Sequence, residues 1–273
     1  MIKILLTLLL ASIILAGGLG LTACKPKQAE NEIKVGVMSG PEAKLMETAR
    51  DVALKQYGLK VKITEFTDYA LPNRALNEGS IDAVAIHHMP YIDADIKANG
   101  YKISPMAKTF IYPVGIYSAK LKHMADVPDG ASVAIPNDPS NEAHALLVLE
   151  RSGLLRLKNG AGVTATPLDI IDNPKHLIFK ELEAAQLPRV LPDVSLAAIN
   201  TNYALLANLH PSKDALFVEG KDSLYVNIIT VRTAELENPK LKQLVAAYHS
   251  NEVQNVAKEL FKGEAIAGWK KVE

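Results

Sequence analysis

The chain has 273 residues, of which 48% are hydrophobic and 22% are charged, with 30 Lys+Arg against 30 Asp+Glu. This ordinary composition excludes a disordered or fibrous protein. A net charge of zero provides no basic field for a phosphate backbone, so we expect no nucleic-acid partner. A single cysteine excludes an intramolecular disulfide and a cysteine-rich zinc site. The length fits one large domain or two lobes.

The first 23 residues have the pattern of a secretory signal peptide. Lys3 is their only charge, and an apolar run from Ile4 to Ala16 is followed by small residues up to Cys24. The run is short for a membrane span and is followed by glycines, which favours a cleaved signal over a transmembrane anchor. Residues 21–24, LTAC, resemble a bacterial lipobox, which implies that Cys24 is the lipidated first residue of the mature protein. Residues 24–32 predict a flexible tether.

After the tether, strand-like and helix-like segments alternate, which is typical of an α/β fold. β-branched residues at every second position predict a strand over 33–38. Apolar residues at spacings of three and four predict a helix over 43–57, ended by Gly58. A strand over 61–66, a short helix from Pro72 to about Gly79 and a strand over 82–86 complete a β-α-β-α-β order.

The second half of the chain contains further strands and helices. Residues 110–117 are extended and include Pro113, which predicts an edge or connecting strand rather than a central one. The remaining predicted elements are strands over 131–135, 194–199 and 225–231, a helix over 139–151, and two amphipathic helices between Pro239 and Phe261.

The sequence contains no catalytic motif. It has no Gly-x-Ser-x-Gly, no phosphate-binding or dinucleotide-binding glycine loop and no His-Glu-x-x-His. Glu181 and Glu183 are more consistent with solvated charges than with an acid/base pair. Neighbours on a strand face opposite ways, which argues against a metal site built from His87 and His88, although His144 can approach from the other half of the chain. We predict no enzyme activity, no cofactor and no metal.

Short motifs are distributed along the whole chain after the tether. They are FTDYALPN at 66–73, GSIDA at 79–83, HMPY at 88–91, TFIYP at 109–113, IPNDPSN at 135–141, NPK at 173–175, ELEA at 181–184, QLPR at 186–189, INT at 199–201 and YVN at 225–227. In this order and spacing they resemble the NlpA family of lipoproteins, the substrate-binding components of methionine ABC importers.

The resemblance implies a two-lobed periplasmic binding protein fold, in which each lobe is a mixed sheet flanked by helices. Lobe 1 would take residues 33–112 and 226–273, and lobe 2 residues 113–225, with two strand crossovers near 112–113 and 225–227. A ligand would be enclosed in the cleft between the lobes. The resemblance further implies a monomer, anchored by lipid in the cell envelope and facing the periplasm or the exterior, with an ABC permease and ATPase as partners.

The family's ligand contacts fall on Tyr69, His88, Tyr91, Asn200 and Asn227 of this chain. The two tyrosines would provide aromatic walls for a thioether. The two asparagines offer donors and acceptors for an α-amino and an α-carboxylate group, and His88 can hydrogen-bond a carboxylate. The resemblance therefore implies a small amino acid as ligand: L-methionine, or else D-methionine or a derivative.

Several positions depart from the family pattern at this site. His144 stands where the family commonly has an Arg that pairs with the substrate carboxylate, and an imidazole makes one bond where a guanidinium makes two. Val84, Ile86 and His87 replace the usual Asn, Phe and Gln.

These departures leave three interpretations open. The first is methionine binding with lower affinity. The second is a changed small amino-acid ligand, with Arg74 or a protonated His144 supplying the missing charge. The third is a lipoprotein without transport duty, such as a surface adhesin or a structural component. Lys25 is not the Asp associated with inner-membrane retention, which favours the outer membrane in a Gram-negative source.

Overall fold

The computed structural model describes residues 31–220 and 222–269, so the predicted signal peptide and Cys24 lie outside the described residues. In chain order the described helices are α1 (Pro41–Tyr57), α2 (Leu71–Asn77), α3 (Met89–Asn99), α4 (Pro139–Arg151), α5 (Leu187–Val190), α6 (Thr201–Leu206), α7 (Pro211–Asp214), α8 (Pro239–Tyr248) and α9 (Asn251–Leu260). Within these ranges, no helix is both long and apolar enough to cross a membrane.

The strands form two main sheets. In chain order they are β1 (Glu32–Met38), β2 (Lys60–Phe66), β3 (Ala83–His88), β4 (Ile103–Ile111), β5 (Gly115–Tyr117), β6 (Ser132–Pro136), β7 (Arg156–Leu157), β8 (Ile170–Asp172), β9 (Ile178–Leu182), β10 (Leu196–Ile199), β11 (Phe217–Val218), β12 (Val226–Arg232) and β13 (Ile266–Ala267). The first sheet has the order β13-β4-β12-β3-β1-β2, and the second has the order β11-β5-β10-β6-β9. Strands β7 and β8 form a separate pair.

Both main sheets contain parallel and antiparallel pairs. In the first sheet β1 is parallel to β2 and β3, whereas β12 is antiparallel to β3 and β4. In the second, β6 is parallel to β9 and β10, whereas β5 is antiparallel to β10. The chain passes from the first sheet to the second between Ile111 and Gly115, and it returns between Val218 and Val226. This is a two-lobed α/β fold.

Apolar side chains pack into three clusters. In the first, helices α1, α8 and α9 cover the first sheet through side chains such as Leu45, Leu244 and Val253. In the second, α4 covers the second sheet. The third combines side chains of both sheets, among them Ile86 and Ile199. Each fully buried Leu or Ile contributes about 1.5–3 kcal/mol, so these clusters stabilise the two sheets and the helices packed on them.

Most of the predicted elements are confirmed, including the β-α-β-α-β order, α4 and the C-terminal helix pair. The extended run 110–117 is the end of β4 followed by β5, and both strands have neighbours on each side. The edge position was therefore wrong for the strands themselves, while Pro113 lies in the connection between them. Two short strands from distant parts of the chain occupy the expected edge positions: β11 pairs with β5, and β13 pairs with β4.

Candidate functional site

A small cavity lies where the two sheets approach each other. Its volume is about 30 Å³, which is room for little more than ordered water. All six residues predicted as ligand contacts line it: Tyr69, His88, Tyr91, His144, Asn200 and Asn227. A ligand the size of an amino acid therefore requires the walls to move apart, as expected of a cleft that closes around its ligand.

His88 is held in one tautomer by the start of a helix. It ends the buried strand β3 and is the N-cap of α3, where its Nδ1 accepts a hydrogen bond from the backbone N–H of Tyr91 at 3.2 Å. Its Nε2 therefore carries the proton, and it lies 3.3 Å from Oδ1 of Asn141. Burial, and next the neighbouring His144, lower the pKa of His88 to about 3. The ring is neutral at physiological pH.

Asn141 links residues from both sheets. Its Oδ1 also accepts a hydrogen bond from Nδ2 of Asn200 at 2.8 Å, while its own Nδ2 donates to Asp138 at 2.9 Å. Asp138 caps α4 by accepting from the backbone N–H of Asn141. The side-chain Oδ1 of Asn200 is buried without a hydrogen-bond partner. An unpaired buried acceptor of this kind costs free energy unless a ligand or water donates to it.

Aromatic rings form one wall of the cavity. The rings of His87 and Tyr91 stack with centroids 4.2 Å apart, and Tyr69 meets Tyr91 edge-on at 6.1 Å. The Tyr91 hydroxyl donates to the backbone carbonyl of Tyr69 at 3.0 Å, and the Tyr69 hydroxyl donates to Asn202 at 2.7 Å. Burial raises the pKa of both tyrosines. They stay neutral and present apolar faces.

His87 lines the same cavity as His88, contrary to the expectation that strand neighbours face opposite ways. The strand ends at this point and the chain turns into α3, so the alternation does not separate the two rings. His87 Nε2 lies 2.9 Å from the backbone carbonyl of Tyr69. Burial lowers the pKa of His87 to about 3, so it too is neutral. The described residues contain no group of three or more His, Cys, Asp or Glu placed to hold a metal ion.

His144 is buried against an acid from the second sheet. Its Nε2 lies 2.8 Å from Oε2 of Glu219, and the two side chains are 3% and 4% exposed. Its ring stacks on Tyr225 with centroids 3.6 Å apart. Burial alone would raise the pKa of Glu219, but the hydrogen bond and charge of His144 hold that pKa below its ordinary value. Nε2 of His144 is thus engaged with Glu219, and its Nδ1 has no partner.

Asn227 lies at a bulge in β12, where the pairing with β3 shifts register. Its Nδ2 donates to the backbone carbonyl of Ile86 at 2.6 Å. Arg74 was one candidate source of positive charge, and the structure contradicts it. The Arg74 side chain is 63% exposed and pairs with Glu78 at 2.8 Å on the surface. No Lys or Arg belongs to the described residues that line the cavity.

Glu42 is a cavity residue that the sequence reasoning missed. It lies in the first turn of α1 and is 4% exposed, with Oε2 buried and without a hydrogen-bond partner. Burial raises the pKa of Glu42 to about 8. The signal was present in the sequence, because Glu42 precedes Leu45, Met46 and Ala49 at helical spacing and so continues the apolar stripe of α1. Asn141 and Tyr225, also missed, carry no such pattern.

Comparison with known proteins agrees with this architecture. The family model described as NlpA lipoprotein matches residues 33–269. A Salmonella typhimurium protein named D-methionine-binding lipoprotein MetQ is 48% identical over 258 residues, which is 93% of this chain and 95% of that protein.

Two solved structures share the fold. One is an ABC transporter periplasmic substrate-binding protein from Coxiella burnetii, with 51% identity, a TM-score of 0.84 and coverage of 86% of this chain and 100% of that chain. The other is a nutrient-binding protein from Burkholderia cenocepacia bound to methionine, with 50% identity, a TM-score of 0.84 and coverage of 86% and 99%. Given the two mixed sheets, the cavity between them and a family match over nearly all described residues, this chain belongs to the NlpA lipoprotein family.

Proposed function

We propose that this protein is the lipid-anchored substrate-binding component of an ABC importer, without enzymatic activity, and that it captures methionine in the cavity between its sheets. The observation that carries the proposal is the meeting of an aromatic wall with several amide groups in one buried cavity. The methionine-bound Burkholderia structure and the naming of the Salmonella relative support the choice of ligand.

The geometry indicates which cavity residues would contact each part of the ligand. Tyr69 and Tyr91 would pack against the thioether, since sulfur is favourable at aromatic edges. The unpaired Oδ1 of Asn200 would accept from the ligand's ammonium. The ligand's carboxylate would be held by neutral donors of the cavity, such as Nε2–H of His88, because no Lys or Arg lines it among the described residues.

We also propose lobe boundaries, with residues 33–112 and 226–273 in lobe 1 and residues 113–225 in lobe 2. The assignment of strands to the two sheets supports this division. Structures determined with and without L-methionine would test it. If either sheet is split between the moving bodies, the division is wrong.

Titration calorimetry of the ligand-stripped mature protein tests the ligand. We expect L-methionine to release heat at both pH 6 and pH 8, and Asn227→Ala to weaken binding at least about tenfold, because losing one hydrogen bond to a charged group costs about 1.5–3 kcal/mol. Asn255→Ala, an exposed position on α9, is the matched control and keeps wild-type affinity.

One result would overturn the choice of methionine as the ligand. An absence of heat with L-methionine at both pH values rules out methionine. Native mass spectrometry of the protein as purified would then identify the small amino acid trapped in the cavity. A small amino acid other than methionine is the second candidate ligand. It is favoured by the presence of His144 at the position where the resemblance leads one to expect Arg.

We further propose that Cys24 anchors the protein to a membrane of the cell envelope through lipid. Palmitate labelling in a bacterial host is expected to mark the wild type, and the label is expected to disappear in Cys24→Ser. Lys27→Ser in the tether is the control and keeps the label. Equal labelling of wild type and Cys24→Ser would exclude this anchor.

A further inference from the structure

Glu42 is a buried acid that the fold does not use. Its carboxyl belongs to the cavity wall, is 4% exposed and leaves Oε2 without a partner. A buried unpaired carboxyl costs free energy in either protonation state, and far more when it is charged. Glu42 occupies a position on the apolar stripe of α1, but its carboxyl group is polar and is therefore poorly suited to apolar packing. Its presence there therefore calls for a partner that arrives from outside the protein.

Among the described residues, no Lys or Arg lines the cavity beside Glu42 to pair with it. In its ionised form Glu42 would raise the pKa of four tyrosines from other elements: Tyr69, Tyr112, Tyr203 and Tyr248. Burial raises the pKa of each of these tyrosines, so all four are neutral at physiological pH.

The other titratable groups of the cavity do not supply the cation either. His87 and His88 are neutral, since burial lowers the pKa of each to about 3. Nε2 of His144 is engaged with Oε2 of Glu219 at 2.8 Å. The remaining two, Tyr91 and Tyr225, have their pKa raised by burial.

We propose that Glu42 receives the ammonium group of the captured amino acid and that capture is coupled to the release of one proton. The inference rests on the function proposed above. In the ligand-free cavity the carboxyl is protonated. When the ligand's –NH3⁺ enters, the carboxyl loses its proton to bulk water and the resulting carboxylate pairs with the ammonium, so charge and atoms balance. Oδ1 of Asn200 supplies a second acceptor.

The electrostatics support this coupling. Burial raises the pKa of Glu42 to about 8, so most molecules carry the proton at pH 7. An ammonium a few ångströms away favours the ionised form, and so does the position of Glu42 in the first turn of the 17-residue helix α1. Because the proton must leave, affinity is expected to rise almost tenfold per pH unit well below pH 8 and less steeply as pH approaches 8.

Calorimetry in two buffers of different ionisation enthalpy, phosphate and Tris, measures the proton directly. At pH 7 we expect the wild type to release close to one proton per bound L-methionine, and at pH 8 about half a proton, because the pKa of Glu42 is about 8. Glu42→Gln abolishes the release at pH 7. Glu47→Gln removes a partly exposed carboxylate from the same helix, where it pairs with Lys44, and keeps the wild-type proton count.

A second probe tests the recognition of the ammonium itself. The 2-hydroxy analogue of methionine lacks this group, and we expect the wild type to prefer L-methionine at least 100-fold. The preference should fall below tenfold in Glu42→Gln.

The outcomes separate the two proposals. Heat with L-methionine but an unchanged proton count in Glu42→Gln overturns this inference alone. Net proton uptake by the wild type at pH 7 also overturns it. No heat with L-methionine overturns the proposed ligand and this inference together. The wild-type proton count requires no variant, so a Glu42→Gln protein that failed to fold would leave the test intact.

Discussion

His144→Ala is expected to lower the free energy of unfolding by about 3–5 kcal/mol at pH 7. The substitution leaves the buried Glu219 without the imidazole that hydrogen-bonds its Oε2 at 2.8 Å. Because that imidazole helps to hold the pKa of Glu219 low, the buried carboxylate must either remain charged, with the backbone N–H of Val114 and the Ser223 side chain still donating to it, or bind a proton. The lost stacking on Tyr225 adds to the cost. Urea unfolding measures the change.

Two further variants separate the ion pair from the packing. His144→Phe keeps a ring over Tyr225 but still leaves Glu219 unpaired, so we expect a loss of similar size. Combining His144→Phe with Glu219→Leu removes both members of the pair and should restore part of the stability, since replacing a buried pair by apolar groups is often neutral. The recovery is incomplete because the backbone N–H of Val114, which donates to Oε2 of Glu219 at 3.2 Å, loses this acceptor. A loss below about 1 kcal/mol in His144→Ala would show that the pair contributes little to the fold.

Glu42→Gln is expected to become the more stable protein as pH rises. The folded-state pKa of Glu42 is about 8 against an ordinary value of 4.5. The folded protein therefore holds a proton that the unfolded chain has lost between these values, and the stability due to protonated Glu42 declines as pH rises from 4.5 to 8. The free energy of unfolding of the wild type should fall by about 1.4 kcal/mol per pH unit over this range, which is about 5 kcal/mol in total. Glutamine does not titrate, so the two stability curves diverge.

Unfolding in urea at pH 5, 6, 7 and 8 checks this divergence. The difference between the two proteins is the informative quantity, because two histidines act in the opposite direction. The pKa values of His87 and His88 are lowered to about 3, so their contribution is complete above pH 6.5 and is lost as pH falls toward 3. Both proteins share this effect. Glu47→Gln should run parallel to the wild type, and a constant gap between wild type and Glu42→Gln would contradict a buried neutral carboxyl.

Local sequence patterns predicted most of the elements but not all of them. Helix α3 was missed because Ile92 is its only buried residue, so it carries no apolar stripe for periodicity to detect. The edge position expected from Pro113 failed because strand neighbours come from residues far away in the chain. In both cases the information lay in tertiary pairing rather than in the segment itself.

The candidate site, too, was predictable from the sequence only in part. The resemblance named five ligand contacts, and a departure at His144, and the structure brings all six residues to one cavity. It did not reveal that His144 faces Glu219, a residue 75 positions away. It also suggested Arg74 as a source of charge, whereas Arg74 lies on the surface beside Glu78.

The sequence by itself determined the alternation of strands and helices, the family resemblance and the predicted cleavage before Cys24, because periodicity and motif spacing are local properties. Only the tertiary structure decided the electrostatics of the cavity. Contacts between Asn141 and Asn200, or between His144 and Glu219, join residues more than 50 positions apart. Burial, which sets the protonation of Glu42, His87 and His88, arises only when the two sheets are packed together.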